Sequence, residues 1–269
     1  MRTKRMDNNS LEISQHAGLG GQTTQIAQQN NYIGMTPEEA SQVAIKLFME
    51  NFPKLQDIAK TTAEARAQEF CQAVIEKLVG GKINDFSPFS DPDVQYVLLE
   101  AQKNYARFGT ADMLKTLSDL VSRRVSHDED FSLKVSIDQA IEVTPMISRG
   151  QLDYLSLLFM CTQTKVENIE TLHDLEEHLK TLEASFSDAD FSCINYLNML
   201  GCLQVQIHDT VNNLSNLYKF EKQDIEQICP QLIKRTTGDY TTSYVGTILA
   251  ITNAESKTNL KFNPKIWIK

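Results

Sequence analysis

"TPEEASQVAIKLFMENFPKLQDIAKTTAEARAQEFCQAVIEKL", residues 36–78, is the stretch whose reading decides the fold class. Thr36 suits an N-cap, Pro37 suits the first helical position, and Glu38 and Glu39 put negative charge where the helix dipole is positive. Apolar or small residues then recur at Ala40, Ala44, Phe48, Phe52, Leu55, Ala59, Ala63, Ala67, Phe70, Val74 and Leu78, in steps of three and four. A three followed by three fours makes a fifteen-residue repeat, about 3.75 residues per turn, which favours nearly straight or slightly right-handed packing between helices. Pro53 removes one backbone hydrogen bond. The stripe stays in phase across it, so a kinked helix is expected rather than two unrelated ones.

Downstream, "GGKINDFSPFSDP" (80–92) combines Gly and Pro and is expected to be a linker. Beyond it, amphipathic patterns follow one another. "DPDVQYVLLEAQKNYARFG" has Asp91 as cap, Pro92 at the first helical position and Gly109 as terminator. "TADMLKTLSDLVSRRVSHD" begins at another Thr cap, and "FSLKVSIDQAIEVTPMI" ends near Pro145. "SRGQLDYLSLLFMCTQ" is apolar on most sides and is expected at the centre of the core. "ENIETLHDLEEHLKTLEASF" is acidic and amphipathic, "DADFSCINYLNMLGCLQV" reads as a further helix, and shorter ones fall near 209–219 and 221–228. A last helix capped by Thr241 or Thr242 is expected to reach Ala254, and "KIWI" at the end reads as a short strand. The body is therefore expected to be mainly α, an antiparallel helical bundle or array.

Upstream of Thr36 the chemistry differs. "GLGGQTTQIAQQNNYIG" (18–34) is glycine and side-chain amides with scattered apolar residues. Its β-tolerant residues, and "GLGG" as a turn after "SLEISQHAG", predict a β-ribbon. "GLGG" lacks the βαβ context of a dinucleotide fingerprint. Amide side chains can stack in ladders between identical strands in register. An isolated hairpin is marginal in water, so the ribbon needs partner strands. The expected organisation is a tail and ribbon over 1–35, an amphipathic oligomerisation stalk over 36–79, a linker over 80–90 and a helical domain over 91–269. The residues expected to carry self-association are Ile13, Gln22, Gln25, Ile26, Gln28, Asn30 and Tyr32 in the ribbon and Phe48, Phe52, Leu55 and Phe70 on the stalk. Trp267, the single Trp, stands between Ile266 and Ile268 and must be covered by the chain's own core or by a partner.

Composition narrows the function classes. The chain has 269 residues with 41% hydrophobic content, enough for a core. Its net charge is −9, which disfavours nonspecific nucleic-acid binding. The nearest basic cluster is the pair Arg123-Arg124. The apolar runs 154–161 and 244–251 are far short of a membrane span, and a cytoplasmic protein is expected. The five cysteines show no CxxC spacing and read as small buried hydrophobes. Templates for a P-loop, GxSxG or HExxH are absent. His173 and His178 are five apart, an awkward spacing for one metal on one helical face. "HDED" at 127–130 lacks the loop geometry of a hard-ion site, and His208-Asp209 lacks a nucleophile. No catalytic residue, cofactor or metal is expected.

Three stretches together resemble an uncharacterised family of bacterial helical proteins. They are the Gln/Asn/Gly ribbon running into "MTPEEA", the block "DPDVQYVLLEAQKNYARFG", and the ending in which Tyr240, Thr242 and Gly246 precede an apolar helix and "IWI". That ending is similar to the Y-x-L-T-x-x-G ending of helical and winged-helix-like bacterial proteins. The ribbon resembles N-terminal segments of bacterial conflict and phage-defence proteins, which implies self-assembly and a role in antiviral defence. The expectation is a homo-oligomerising assembly or adaptor protein with a protein partner. The alternatives are an enzyme whose site assembles from scattered helical acids and His residues, and a transcriptional regulator.

Overall fold

Thr36 and Glu39 bond reciprocally: the Glu39 amide donates to Thr36 Oγ1 at 3.2 Å, and the Thr36 amide to Glu39 Oε2 at 2.8 Å. This capping box opens helix α1, Pro37–Gly80, which runs through Pro53 without a break. The computed structural model describes residues 36–81, 83, 85–126, 130–183 and 194–268. The expected β-ribbon, with Ile13, Gln22, Gln25, Ile26, Gln28, Asn30 and Tyr32, lies outside the described residues. By its internal contacts the chain divides into a unit ending at Ala59 and a unit beginning at Lys60. The division falls inside α1, within the segment expected as a stalk.

The second unit is a mainly α, antiparallel helical bundle. Its further helices are α2 (Pro92–Phe108), α3 (Ala111–Ser126), α4 (Phe131–Val143), α5 (Arg149–Thr162), α6 (Leu172–Glu183) and α7 (Ile194–Met199). After strand β1 (Leu203–His208) come α8 (Thr210–Tyr218), α9 (Lys222–Ile228), α10 (Pro230–Thr236), strand β2 (Gly238–Thr242) and α11 (Tyr244–Lys257). Local chemistry sets the helix starts. Asp91, Asp130 and Asp209 cap α2, α4 and α8 through backbone amides, and Ser148 makes a capping box with Gln151 at α5. Gly109 ends α2 at φ 64°, a left-handed position that favours glycine.

The core centres on α5, buried from Gly150 to Cys161, which packs on α11, buried from Val245 to Ala254. The sequence expectation for "SRGQLDYLSLLFMCTQ" holds. The C-terminal part of α1 joins this core through Phe70, Val74 and Leu78. Phe70 packs on Tyr105, ring centroids 6.1 Å apart, and Tyr105 Oη donates to Glu69 at 2.6 Å. Arg66 closes the same seam by donating to the Ala106 carbonyl at 2.9 Å. A chain started at the expected linker would therefore lose part of its own core.

Three local expectations are corrected. "LQVQIH" is a strand, not the end of a helix; β1 pairs antiparallel with β2, with Leu203 opposite Thr242 and Val205 opposite Tyr240. Thr241 and Thr242 belong to β2, and Ser243 caps the last helix by accepting from the Gly246 amide. "KIWI" forms a 3-10 turn at Pro264–Ile266 instead of a strand, because Pro264 starts it and Asn263 caps it.

Gly246 shows why the Tyr240, Thr242, Gly246 pattern exists. A Cβ there would stand 1.9 Å from the Cys202 carbonyl oxygen, which is fixed by accepting from the Ser243 amide at 3.1 Å. Gly246→Ala is expected to destabilise the chain by roughly 1–3 kcal/mol or more in urea unfolding. Gly238→Ala, at a position with nothing within 4 Å, is expected to stay within about 0.5 kcal/mol of the parent.

Candidate functional site

Two features stand out on the described residues: the apolar face of the N-terminal part of α1, and a polar cleft beside α6. Between Ala44 and Ala59, α1 carries Ile45, Leu47, Phe48, Met49, Phe52, Leu55 and Ile58, all exposed. Phe48 is 55% exposed, Phe52 38% and Leu55 55%, whereas Phe70 on the same helix is 0% exposed. Phe48 and Phe52 lie one turn apart with ring centroids at 5.1 Å. Of the stalk residues expected to serve self-association, three are thus open to water. Phe70 is enclosed by this chain's own bundle and is not available to another copy. Scattered single apolar residues on a surface are ordinary, but a continuous apolar helix face is a mark of an interaction site.

The charges of this segment lie on the other side of the helix. Lys46 and Glu50 pair at 4.0 Å, and Lys60 and Glu64 pair at 3.8 Å, both one turn apart. Such exposed pairs contribute little stability, but they mark which side faces water.

The cleft has a volume of ≈ 390 Å³ and is lined by Asp174, Glu177, His178 and Thr181 of α6, by Val166 to Ile169 in part, and by Lys257 to Leu260. His178 Nε2 is buried and has no hydrogen-bond partner among the described residues. Burial holds its pKa below the usual 6.5, so the ring is neutral at pH 7. Lys257 is held from below: its Nζ stands 2.5 Å from Oδ1 of the fully buried Asp153, which also accepts from Asn253 Nδ2 at 2.9 Å. Asp174 is engaged at the start of α6, accepting from the Thr171 amide at 2.9 Å. The lining offers polar atoms for a small polar molecule; its Thr181 hydroxyl donates to the Glu177 carbonyl at 2.9 Å, and no described nucleophile is bonded to His178. His173 lines a separate depression with Glu176 and Lys180, so the two His residues do not converge. Sequence reasoning gave no sign of Lys257, because the Asp153 that holds it lies on another helix.

The remaining candidates resolve into structural roles. Asp130 of "HDED" caps α4; residues 127–129 lie outside the described residues. His208 and Asp209 point to different tasks: Nε2 of His208 contacts the Thr236 carbonyl, and Asp209 caps α8. Arg123 pairs with Glu255 at 2.7 Å, and the buried Arg124 pairs with Asp138 at 2.9 Å and with Asp93. The Arg123-Arg124 doublet is thereby engaged by carboxylates. Trp267 is half-buried against the chain's own core: Nε1 donates to the Gln163 carbonyl at 2.9 Å, and its ring meets Phe159 edge-on at 5.0 Å. Cys71, Cys161, Cys202 and Cys229 are free thiols, and burial pushes the Cys161 and Cys202 thiols up to about 12. Among the described residues no group of three or more His, Cys, Asp or Glu side chains is placed to hold a metal ion. No described helix is long and apolar enough to cross a membrane.

The class defined so far is a mainly α bundle with a two-stranded sheet and a long first helix whose N-terminal part is apolar and exposed. A protein-family model, whose description names no activity, matches residues 34–243, and the chain belongs to that family. The match takes in α1 from its cap and ends at the cap of α11. Comparisons with curated proteins and with solved structures found no match.

His178 gives a pH-dependent signature. Its folded pKa is depressed, so the unfolded chain takes up the proton first as pH falls. Its contribution to stability is present above about pH 6.5 and is lost as pH falls through the lower folded value. His178→Gln is expected to flatten the decline of Tm between pH 7 and 5 relative to the parent, measured by thermal scans in matched buffers. An unchanged slope would show that His178 is not held neutral in the fold.

Proposed function

We propose that this chain is a homo-oligomerising assembly or adaptor protein, in which the N-terminal part of α1 joins copies and the helical body meets a protein partner. The observation that carries the proposal is the exposed apolar face from Ile45 to Ile58, with charged residues on the opposite side. Fully burying one Phe, Leu, Ile or Met side chain stabilises by roughly 1.5–3 kcal/mol. Several such side chains from each copy can offset an association cost on the order of 4–15 kcal/mol. The setting in bacterial antiviral defence rests on the resemblance of the amide-rich segment before Thr36. It is proposed on that ground alone.

An enzyme reading has one supporting observation, the unpartnered buried Nε2 of His178 in its cleft. Among the described residues no nucleophile is bonded to His178, the Thr181 hydroxyl being turned to the Glu177 carbonyl, so this reading stands second. A transcriptional regulator loses its nearest basic cluster to Glu255, Asp138 and Asp93.

The test is the double substitution Phe48→Glu with Phe52→Glu, read by analytical ultracentrifugation. The parent is expected to sediment as an oligomer and the variant as a monomer. Both side chains are exposed, so the unfolding free energy of the bundle is expected to move by no more than about 0.5 kcal/mol. A parent chain that sediments as a monomer at micromolar concentration would remove the reading.

A further inference from the structure

The apolar face of α1 has a finer grain that says how many copies it fits. With Ile45 as the first position of a heptad, Ile45, Phe52 and Ala59 fall at a, and Phe48 and Leu55 fall at d. The flanking e positions are Met49 and Gln56, and the flanking g positions are Ala44, Asn51 and Ile58. No flanking position carries a charge. Lys46, Glu50, Lys54 and Asp57 all fall at b, c or f, the outer positions, as do Lys60 and Glu64 beyond them. Two ion pairs of this segment, Lys46–Glu50 and Lys60–Glu64, each join b to f. The heptad then stops: Thr62 and Arg66 hold the next d and a positions. It stops where the internal contacts of the chain divide, between Ala59 and Lys60.

We infer that this seam is filled by three or more copies of the chain packed helix to helix. This rests on the proposed role of α1 in assembly. In a two-stranded coil, e and g sit at the margin of the interface, and pairs of opposite charge there set the partner and register. Here those positions carry Met49, which is 62% exposed, and Ile58, which is 65% exposed. Two copies would cover a and d and leave both in water. Three or more copies turn e and g inward, bury them, and keep every charge on the outside. The length of the seam points the same way. Residues 44–59 make about 24 Å of helix, little more than two heptads. A short seam buries more surface per copy when more copies share it, which compensates for its length. A partner of different sequence is the weaker occupant, because a mismatched partner is normally selected by charges at e and g, and none is present.

The experiment is native mass spectrometry of the full-length chain, with sedimentation equilibrium over a range of concentrations. The expected mass is at least three times 30.4 kDa. A dimer would overturn the inference while leaving assembly through α1 standing; a monomer would overturn both. Two variants tie the mass to the seam. Met49→Glu with Ile58→Glu, at e and g, is expected to lower the number of copies. Leu47→Glu, at the outer c position, is expected to leave it unchanged. Retention of the parent mass by the Met49/Ile58 variant would place e and g outside the interface and overturn the inference. Loss of copies in the Leu47 variant would overturn the register.

Discussion

Gln163, the residue that ends α5, ties the body of this protein together. Its side-chain amide donates to Thr241 Oγ1 at 2.8 Å and to Thr242 Oγ1 at 2.9 Å, and its carbonyl accepts from Trp267 Nε1. Thr242 in turn bonds Thr247 of α11 at 2.8 Å. One side chain and one carbonyl thus join the end of the central helix to β2, to the start of the last helix and to the C-terminal turn. The site is largely enclosed, where a hydrogen bond is strong and an unmade one is costly. The position of β2 follows from this junction, and so does the close approach of Gly246 to the Cys202 carbonyl. The docking of Phe159, Phe262 and Trp267 as a cluster of edge-to-face rings follows too.

The same α5–α11 interface carries the buried charge of the molecule. Asp153 is fully enclosed and is compensated by Lys257 and by Asn253, which also donates to Ser156 Oγ at 2.9 Å. A buried carboxylate of this kind adds little net stability over a well-packed apolar pair, but removing its partner would be costly. Its consequence is positional: it fixes the last turn of α11, and with it one wall of the cleft where His178 sits. The cleft is therefore a by-product of how the core is locked.

Helix α1 lives in two environments along a single stripe. Phe70, Val74 and Leu78 are covered by the chain's own bundle, while Phe48, Phe52 and Leu55, on the same periodic face, meet water. Sequence periodicity treats these six residues alike, because it reports which face is apolar and not what covers it. This is why Phe70 was expected among the self-association residues and is instead a core residue. Other differences have similarly physical origins. "LQVQIH" alternates like a strand but follows a helical pattern, and its pairing partner is β2, beyond three intervening helices. Ser243, not Thr241 or Thr242, caps the last helix because both threonines are engaged by Gln163. The terminal "KIWI" turns because Asn263 and Pro264 start a 3-10 turn, a local signal outweighed in the sequence reading by β-prone residues.

By itself the sequence determined most of the helices, several of their caps and their apolar faces. Thr36 with Glu39, Asp91, Thr110 and Gly109 act within one or two turns of their own backbone, so their effect is written locally. The separation of apolar and charged faces on α1 is equally local, being a matter of spacing along one helix. Only the tertiary structure decided which end of the α1 stripe is covered and that Arg123 and Arg124 turn to carboxylates. It alone also placed Lys257 over Asp153, left His178 Nε2 enclosed without a partner among the described residues, and packed Trp267 against the chain's own core. Each of these depends on groups brought together from distant parts of the chain, such as Gln163 and Trp267, 104 residues apart. Spacing along the chain carries no record of such meetings, because packing and not periodicity brings them about.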